Sequence, residues 1–227
     1  MNIWVKLAFA ASVASLITVS GKAAGAVYYN SAPGLVLLLI REYAAGFIMG
    51  FVVSLTFNLI YFAGQLLDFQ IGFAMVNVFD PITQIQVPII GNLFFLTITA
   101  LFVQSGGLHA MLSAMFFSYD VLPIGRAVIL NNPALMKIIL ELTMNFMVLA
   151  IQAALPITGA MLIIDISMGL LVKAAPQMNV FVVGMPIKLL AGLMLIFLMS
   201  PMLSNVYNTA FEVAYTAVIG VLRGMAG

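Results

Sequence analysis

MVNVFDPITQIQVP, residues 75–88, gathers two prolines, an aspartate, an asparagine and two glutamines inside a chain that is otherwise almost continuous hydrocarbon. Outward from it, composition decides the solvent. The 227 residues are 64% hydrophobic and 7% charged, with a mean hydropathy of +1.21. Soluble domains are roughly 45–50% apolar and about 25% charged. The expected class is therefore all-α: a polytopic helical membrane protein. No Ser/Gly-rich or charged linker divides the chain, so a single domain over residues 1–227 is expected. A net charge of +1 supplies no basic field for nucleic acid and no acidic tail. Cysteine is absent, which removes disulfides and thiolate sites, and the lone histidine closes the remaining metal options. No cofactor and no metal are expected.

The apolar runs cover roughly 5–20, 34–66, 90–117, 134–172 and 187–220, separated by Gly, Pro, Asn and Asp clusters. All read as helices, because spanning strands would be about ten residues of strict alternation. A helix also pairs every backbone group internally, as hydrocarbon demands. The second and fourth runs exceed the about 20 residues of a single span. Each is expected to be either a helical hairpin or a long helix projecting beyond the lipid, with Pro156 kinking or breaking the fourth. The start has two readings. Lys6, the apolar run 7–19 and the small residues after it have the layout of a signal peptide, but a first membrane helix is the favoured reading. Lys6, Lys173 and Lys188 on one side nearly balance Lys22, Arg126, Lys137 and Arg223 on the other, so charge assigns no orientation.

Ionisable residues inside apolar runs are the usual functional pointers in membranes. Asp165, in GAMLIIDISMGLL, has the position of a proton-relay carboxylate, but a helix-helix hydrogen bond is the favoured reading. Glu141 shares a helix face with Lys137 and is expected to pair with it. Arg41 and Glu42 are adjacent, point in different directions and are ascribed to a helix end. His109 is the lone histidine, and an interfacial hydrogen-bonding role is preferred over pH sensing. No GxSxG, HExxH or Walker loop is present, and the carboxylates are scattered, so no catalytic residues are expected. What remains are three polar, proline-punctuated breaks: MVNVFDPITQIQVP, LPIGRAVILNNP and KAAPQMNVFVVGMPIK. A polar non-helical segment between apolar helices is tolerated only where it is buried in protein or lines water. The opening stretch is accordingly assigned to a pore or a protein interface.

GFAMVNVFDP at 72–81, LPIG at 122–125 and above all APQMNVFVVGMPIK at 175–188 resemble the FliR family, whose type III secretion equivalent is called SctT. The resemblance runs from Trp4 to about Met202. It implies an export-gate subunit of the bacterial inner membrane and flagellar basal body, present once beside several copies of FliP-like and FliQ-like subunits. It further implies contacts with an FlhB-like switch protein and an FlhA-like export protein, and unfolded proteins as the cargo. Energy for export would come from the proton-motive force and a separate ATPase. Family members pack into a helical assembly that rises out of the membrane plane, with a FliP-like part over about 1–130 here and a FliQ-like hairpin over about 134–220. The wording of the 175–188 block leans to the flagellar system, with the virulence system as the alternative.

By the same resemblance, residues 73–87 form the plug of the closed channel, comprising Phe73, Met75, Val76, Asn77, Val78, Phe79, Asp80 and Pro81. The chemistry suits it. Met75, Val76, Val78 and Phe79 close a pore by apolar packing, and Asp80-Pro81 enforces a turn. An ordinary interhelical connector is the alternative. The turn bearing Pro176, Gln177 and Asn179, with Lys188 beyond it, is expected to be an inter-subunit contact near a headgroup layer. Asp165 and Glu141 are the intramembrane polar residues.

Two departures from the family pattern stand out. Relatives carry a further apolar helix before the position of Trp4, so the start here is displaced, trimmed, or that helix is lacking. They also commonly carry Asn-Gly-His where this chain has Gly106-Gly107-Leu108 before His109, so His109 receives no role. Two rival functions are a small-solute transporter, for which no internal repeat is found, and a passive scaffold.

Overall fold

The computed structural model describes residues 2–22, 31–73, 88–129, 132–177 and 179–226. Among these the regular secondary structure is all helix, in seven helices: α1 (Ile3–Val19), α2 (Ala32–Ile71), α3 (Ile89–Gln104), α4 (Gly107–Val121), α5 (Pro133–Ala174), α6 (Val180–Leu198) and α7 (Ser200–Ala226).

α2 and α5 are 40 and 42 residues long. At 1.5 Å per residue each measures about 60 Å, twice the about 30 Å hydrocarbon core. Both are apolar enough to cross a membrane. Of the two forms open to the fourth apolar run, the structure takes the long helix: α5 continues through Pro156 without a break. Proline removes one backbone bond, and neighbouring helices commonly make that tolerable in membrane segments. The third and fifth apolar runs do break. α3 and α4 meet at 69° and α6 and α7 at 60°. The first bend falls at Gly106, whose φ of +77 belongs to the left-handed region. Gly107 beside it lies so close to the ring of Phe102 that a Cβ would sit 2.3 Å from it. At the second, Pro201 occupies the first turn of α7, where its missing N–H is of no consequence.

Two compact units result, interleaved in sequence. One comprises Met1–Val53, Phe102–Leu142 and Tyr215–Gly227, the other Ser54–Leu101 and Thr143–Ala214. The first has its core in Ala45, Val52, Leu135, Val221, Leu222 and Met225. The second is built on Ile60, Leu67, Ile71, Phe94, Ile98, Ile157 and Met161. Outside those cores large apolar side chains are displayed in quantity: Phe47 on α2 is 64% exposed, Ile166 on α5 65% and Phe197 on α6 79%. Such surfaces call for lipid or neighbouring protein.

Candidate functional site

Asp68 and Gln70 of the second unit stand near the C-terminal end of α2, where the chain enters the 75–88 stretch. Phe57, Tyr61, Gly64 and Asp68 recur at helical spacing on one face of α2, and that face meets α3. Phe57 and Tyr61 stand edge-on to Phe95, with ring centroids 6.2 and 6.4 Å apart. One turn on, the two backbones nearly touch: a Cβ on Gly64 would lie 2.7 Å from Gly91 Cα. Small residues permit this approach in membrane helices.

Asp68 completes the junction. It is 4% exposed, and its two carboxylate oxygens accept hydrogen bonds from the Ile90 and Gly91 backbone N–H groups, each at 3.0 Å. These are among the four donors that the start of a helix leaves without an intrahelical partner. The Asp68 carbonyl meanwhile accepts the Gly72 N–H at 3.1 Å, where Gly72 takes φ +99 just past the last residue of α2. One residue thus closes α2 with its backbone and opens α3 with its side chain. Asp68 lies just past the second apolar run and carries no local signature in the sequence, because its partners are 22 and 23 positions away.

Asp165 lies on the same unit. Its Oδ1 is 2.7 Å from Lys188 Nζ and its Oδ2 accepts from Gln70 Nε2 at 3.3 Å, joining α5, α6 and α2. Two residues with different expected roles, an intramembrane carboxylate and an inter-subunit lysine, are therefore one ion pair. Four residues beyond Lys188, Gly192 leaves room for the side chain of Ile71 at the very end of α2, where a Cβ would come within 2.6 Å. An Asp165→Leu variant strands the Lys188 ammonium in partly buried surroundings, whereas Asp165→Asn keeps an acceptor for it. The expected order of detergent-solubilised thermal stability is wild type, then Asp165→Asn, then Asp165→Leu. Adding Lys188→Met to the leucine variant should recover part of the loss, because an uncompensated charge costs more than an absent pair.

Glu141 pairs with Lys137 along α5 at 3.7 Å, both well exposed. Such a surface pair contributes little to stability. Arg41 and Glu42 are not at a helix end as expected. They lie well inside α2 and both address Gly125: its N–H donates to Glu42 Oε1 at 2.8 Å and its carbonyl accepts from Arg41 at 3.5 Å. Gly125 has φ +84, so the LPIG run needs glycine there. Adjacent charges that cannot pair with each other instead grip the two sides of one residue, fastening the α4–α5 connection to α2.

Of the expected plug residues, Phe73 packs half-buried against the core of its unit. Met75, Val76, Asn77, Val78, Phe79, Asp80 and Pro81 lie outside the described residues. At the other turn, α5 stops at Ala174 before Pro176, and the Asn179 carbonyl accepts from Val182 and Val183 to start α6. Pro176, Gln177 and Asn179 are all exposed. His109 is exposed on α4. Among the described residues no group of three or more His, Cys, Asp or Glu is placed to hold a metal.

Known proteins resemble this chain over most of its length. It is 30% identical to the flagellar biosynthetic protein FliR of Bacillus subtilis over 193 residues, covering 82% of this chain and 74% of the relative. It is 24% identical to the FliR of Escherichia coli over 185 residues, covering 82% and 70%. The secretion system apparatus protein SsaT of Salmonella typhimurium is 31% identical over 164 residues, 72% of this chain and 63% of its own length. Residues 1–214 match the family described as bacterial export proteins, family 1, to which this membrane-embedded, all-helical chain belongs.

Proposed function

We propose that the chain is a subunit of the flagellar type III protein export gate, forming part of the channel through which unfolded proteins cross the inner membrane at the flagellar basal body. The family match over residues 1–214 carries the reading. The flagellar system is favoured over its virulence counterpart because the chain spans 74% of the Bacillus subtilis FliR but 63% of SsaT. Its partners are FliP-like and FliQ-like gate subunits, an FlhB-like switch protein and an FlhA-like export protein. It acts as a structural component of the conduit and not as an enzyme.

The helices support membership of an assembly larger than a bilayer-bound monomer. α2 and α5 are twice the length that hydrocarbon requires. Their exposed apolar faces need cover along that excess, which lipid supplies only over part of it. Residues 73–87, which follow the Asp68, Gly64 and Gly91 junction in the chain, form the plug, and the Asp165–Lys188 pair ties α5 to α6. The exposed turn at Pro176, Gln177 and Asn179 is a docking point for neighbouring subunits.

Affinity purification of the tagged chain from its native membrane is expected to recover a large complex holding one copy of it, with the FliP-like and FliQ-like subunits in excess. Recovery alone or as a small homo-oligomer would sink the proposal. In the same pull-down, Gln177→Ala combined with Asn179→Ala should reduce partner recovery severalfold while the chain stays inserted, since those amides are exposed and both donate and accept.

A further inference from the structure

The first unit contains a cavity that the export reading leaves without a use. Its volume is about 510 Å³, within the range of small-molecule sites. Its walls are mostly apolar, with Phe116 and Phe117 from α4 and Ile219 from α7, and Tyr215 also on α7. One part of its lining is charged: Lys22 and Asp120, joined as an ion pair. We propose that this cavity binds one zwitterionic phospholipid, phosphatidylethanolamine, with an acyl chain along Phe116, Phe117 and Ile219 and the headgroup on the Lys22–Asp120 pair.

Three observations lead there. First, both charges lie at the ends of apolar helices. Lys22 follows the end of the apolar helix α1 by three residues, and Asp120 is the penultimate residue of α4. Charged groups at the ends of apolar helices belong at the bilayer interface. Second, the pair retains binding capacity. The two side chains are 29% and 50% exposed. A carboxylate offers about four acceptor sites and an ammonium three donors, so their mutual contact leaves most of both available. Third, the charge balance selects the headgroup. A phosphate approaching Lys22 also meets the Asp120 carboxylate, which repels an anionic lipid. A headgroup that brings its own ammonium places it on Asp120 and completes an alternating ring of four charges, with the primary ammonium donating hydrogen bonds that a quaternary choline lacks. The mixed wall of aromatic rings and aliphatic side chains beside that pair, Tyr215 among them, is what an acyl chain requires.

The assembled complex, reconstituted in vesicles of phosphatidylcholine doped with a phosphatidylethanolamine carrying a photoreactive acyl chain, provides the test. After illumination, adducts are expected on the peptides holding residues 113–120 and 215–222. Unlabelled phosphatidylethanolamine should compete them away, and phosphatidylglycerol or further phosphatidylcholine should not. Lys22→Met and Asp120→Asn should each lower this labelling about tenfold, an equilibrium change typical of one lost charged contact. Ile219→Trp adds bulk to the apolar wall and should lower it similarly. Adducts competed equally by all three lipids would mean ordinary boundary lipid and would overturn the proposal. So would their absence from these peptides, which would leave the cavity to a neighbouring subunit. The competition series uses the unaltered protein, so neither outcome depends on a variant that folds. It also stands apart from the export reading, whose failure in pull-down would not alter the adduct map.

Discussion

Replacing Asp68 by alanine is expected to lower the stability of the second unit by about 3–5 kcal/mol, because two buried N–H groups lose a charged acceptor at once. Each bond from Ile90 and Gly91 is 3.0 Å long, and the carboxylate that receives them is 4% exposed. Water cannot easily take its place, since Gly64 and Gly91 are in backbone contact beside it. Asp68→Asn retains one acceptor oxygen and substitutes an amide donor for the other, so it should lie between wild type and alanine. Gly64→Ala offers an independent probe of the same junction. Its Cβ would have to displace the α3 backbone, with no flexible side chain to give way. All three are measured by thermal midpoint in detergent and by the fraction of chain recovered in the assembled complex. A normal midpoint for Asp68→Ala would mean that the start of α3 is held by something other than this carboxylate.

That residue also marks where sequence reading succeeds and fails. The helical class and the long second and fourth runs follow from composition, since a span cannot be 64% hydrophobic overall and irregular inside hydrocarbon. The break before α5 is legible too. Asn132-Pro133 is a local signature, and Asn132 Oδ1 does accept the Leu135 N–H at 3.0 Å while Pro133 takes the first helical position. Bends inside apolar runs are harder to see. Gly106-Gly107 and Pro201 are ordinary residues in membrane helices, and whether they bend a helix depends on packing against side chains such as Phe102. Pro156 shows the converse, a strong local breaker overridden by its surroundings.

The polar contacts are the least legible because they are non-local. Lys137 and Glu141 are one turn apart, and their pairing is plain from spacing alone. Arg41 and Glu42 meet Gly125 at separations of 84 and 83 residues, and Gln70 meets Asp165 across 95. No periodicity connects such positions. An acid inside an apolar run singles out Asp165, but nothing near it in the chain indicates that Lys188 and Gln70 receive it.

Deleting residues 75–79 is expected to raise the ion permeability of membranes carrying the gate by an order of magnitude or more, with assembly largely intact. The expectation of leakage rests on chemistry: Met75, Val76, Val78 and Phe79 are the apolar bulk of the stretch, and a narrow apolar constriction excludes ions by dewetting. The expectation that assembly survives rests on the junction. Among the described residues, the contacts that close α2 and open α3 come from residues up to Gly72 and from Pro88 onward. The deletion leaves Gly64, Asp68, Gly72, Ile90 and Gly91 in place, and residues 74 and 80–87 still bridge the gap. Conductance of the purified complex in planar bilayers measures the leak, and co-purification of the FliP-like and FliQ-like subunits measures assembly. Substituting Met75, Val76, Val78 and Phe79 together by serine should open the same leak without shortening the chain, which separates loss of apolar bulk from loss of reach. A tight, fully assembled complex in both variants would assign residues 73–87 to a connector and move closure of the channel elsewhere.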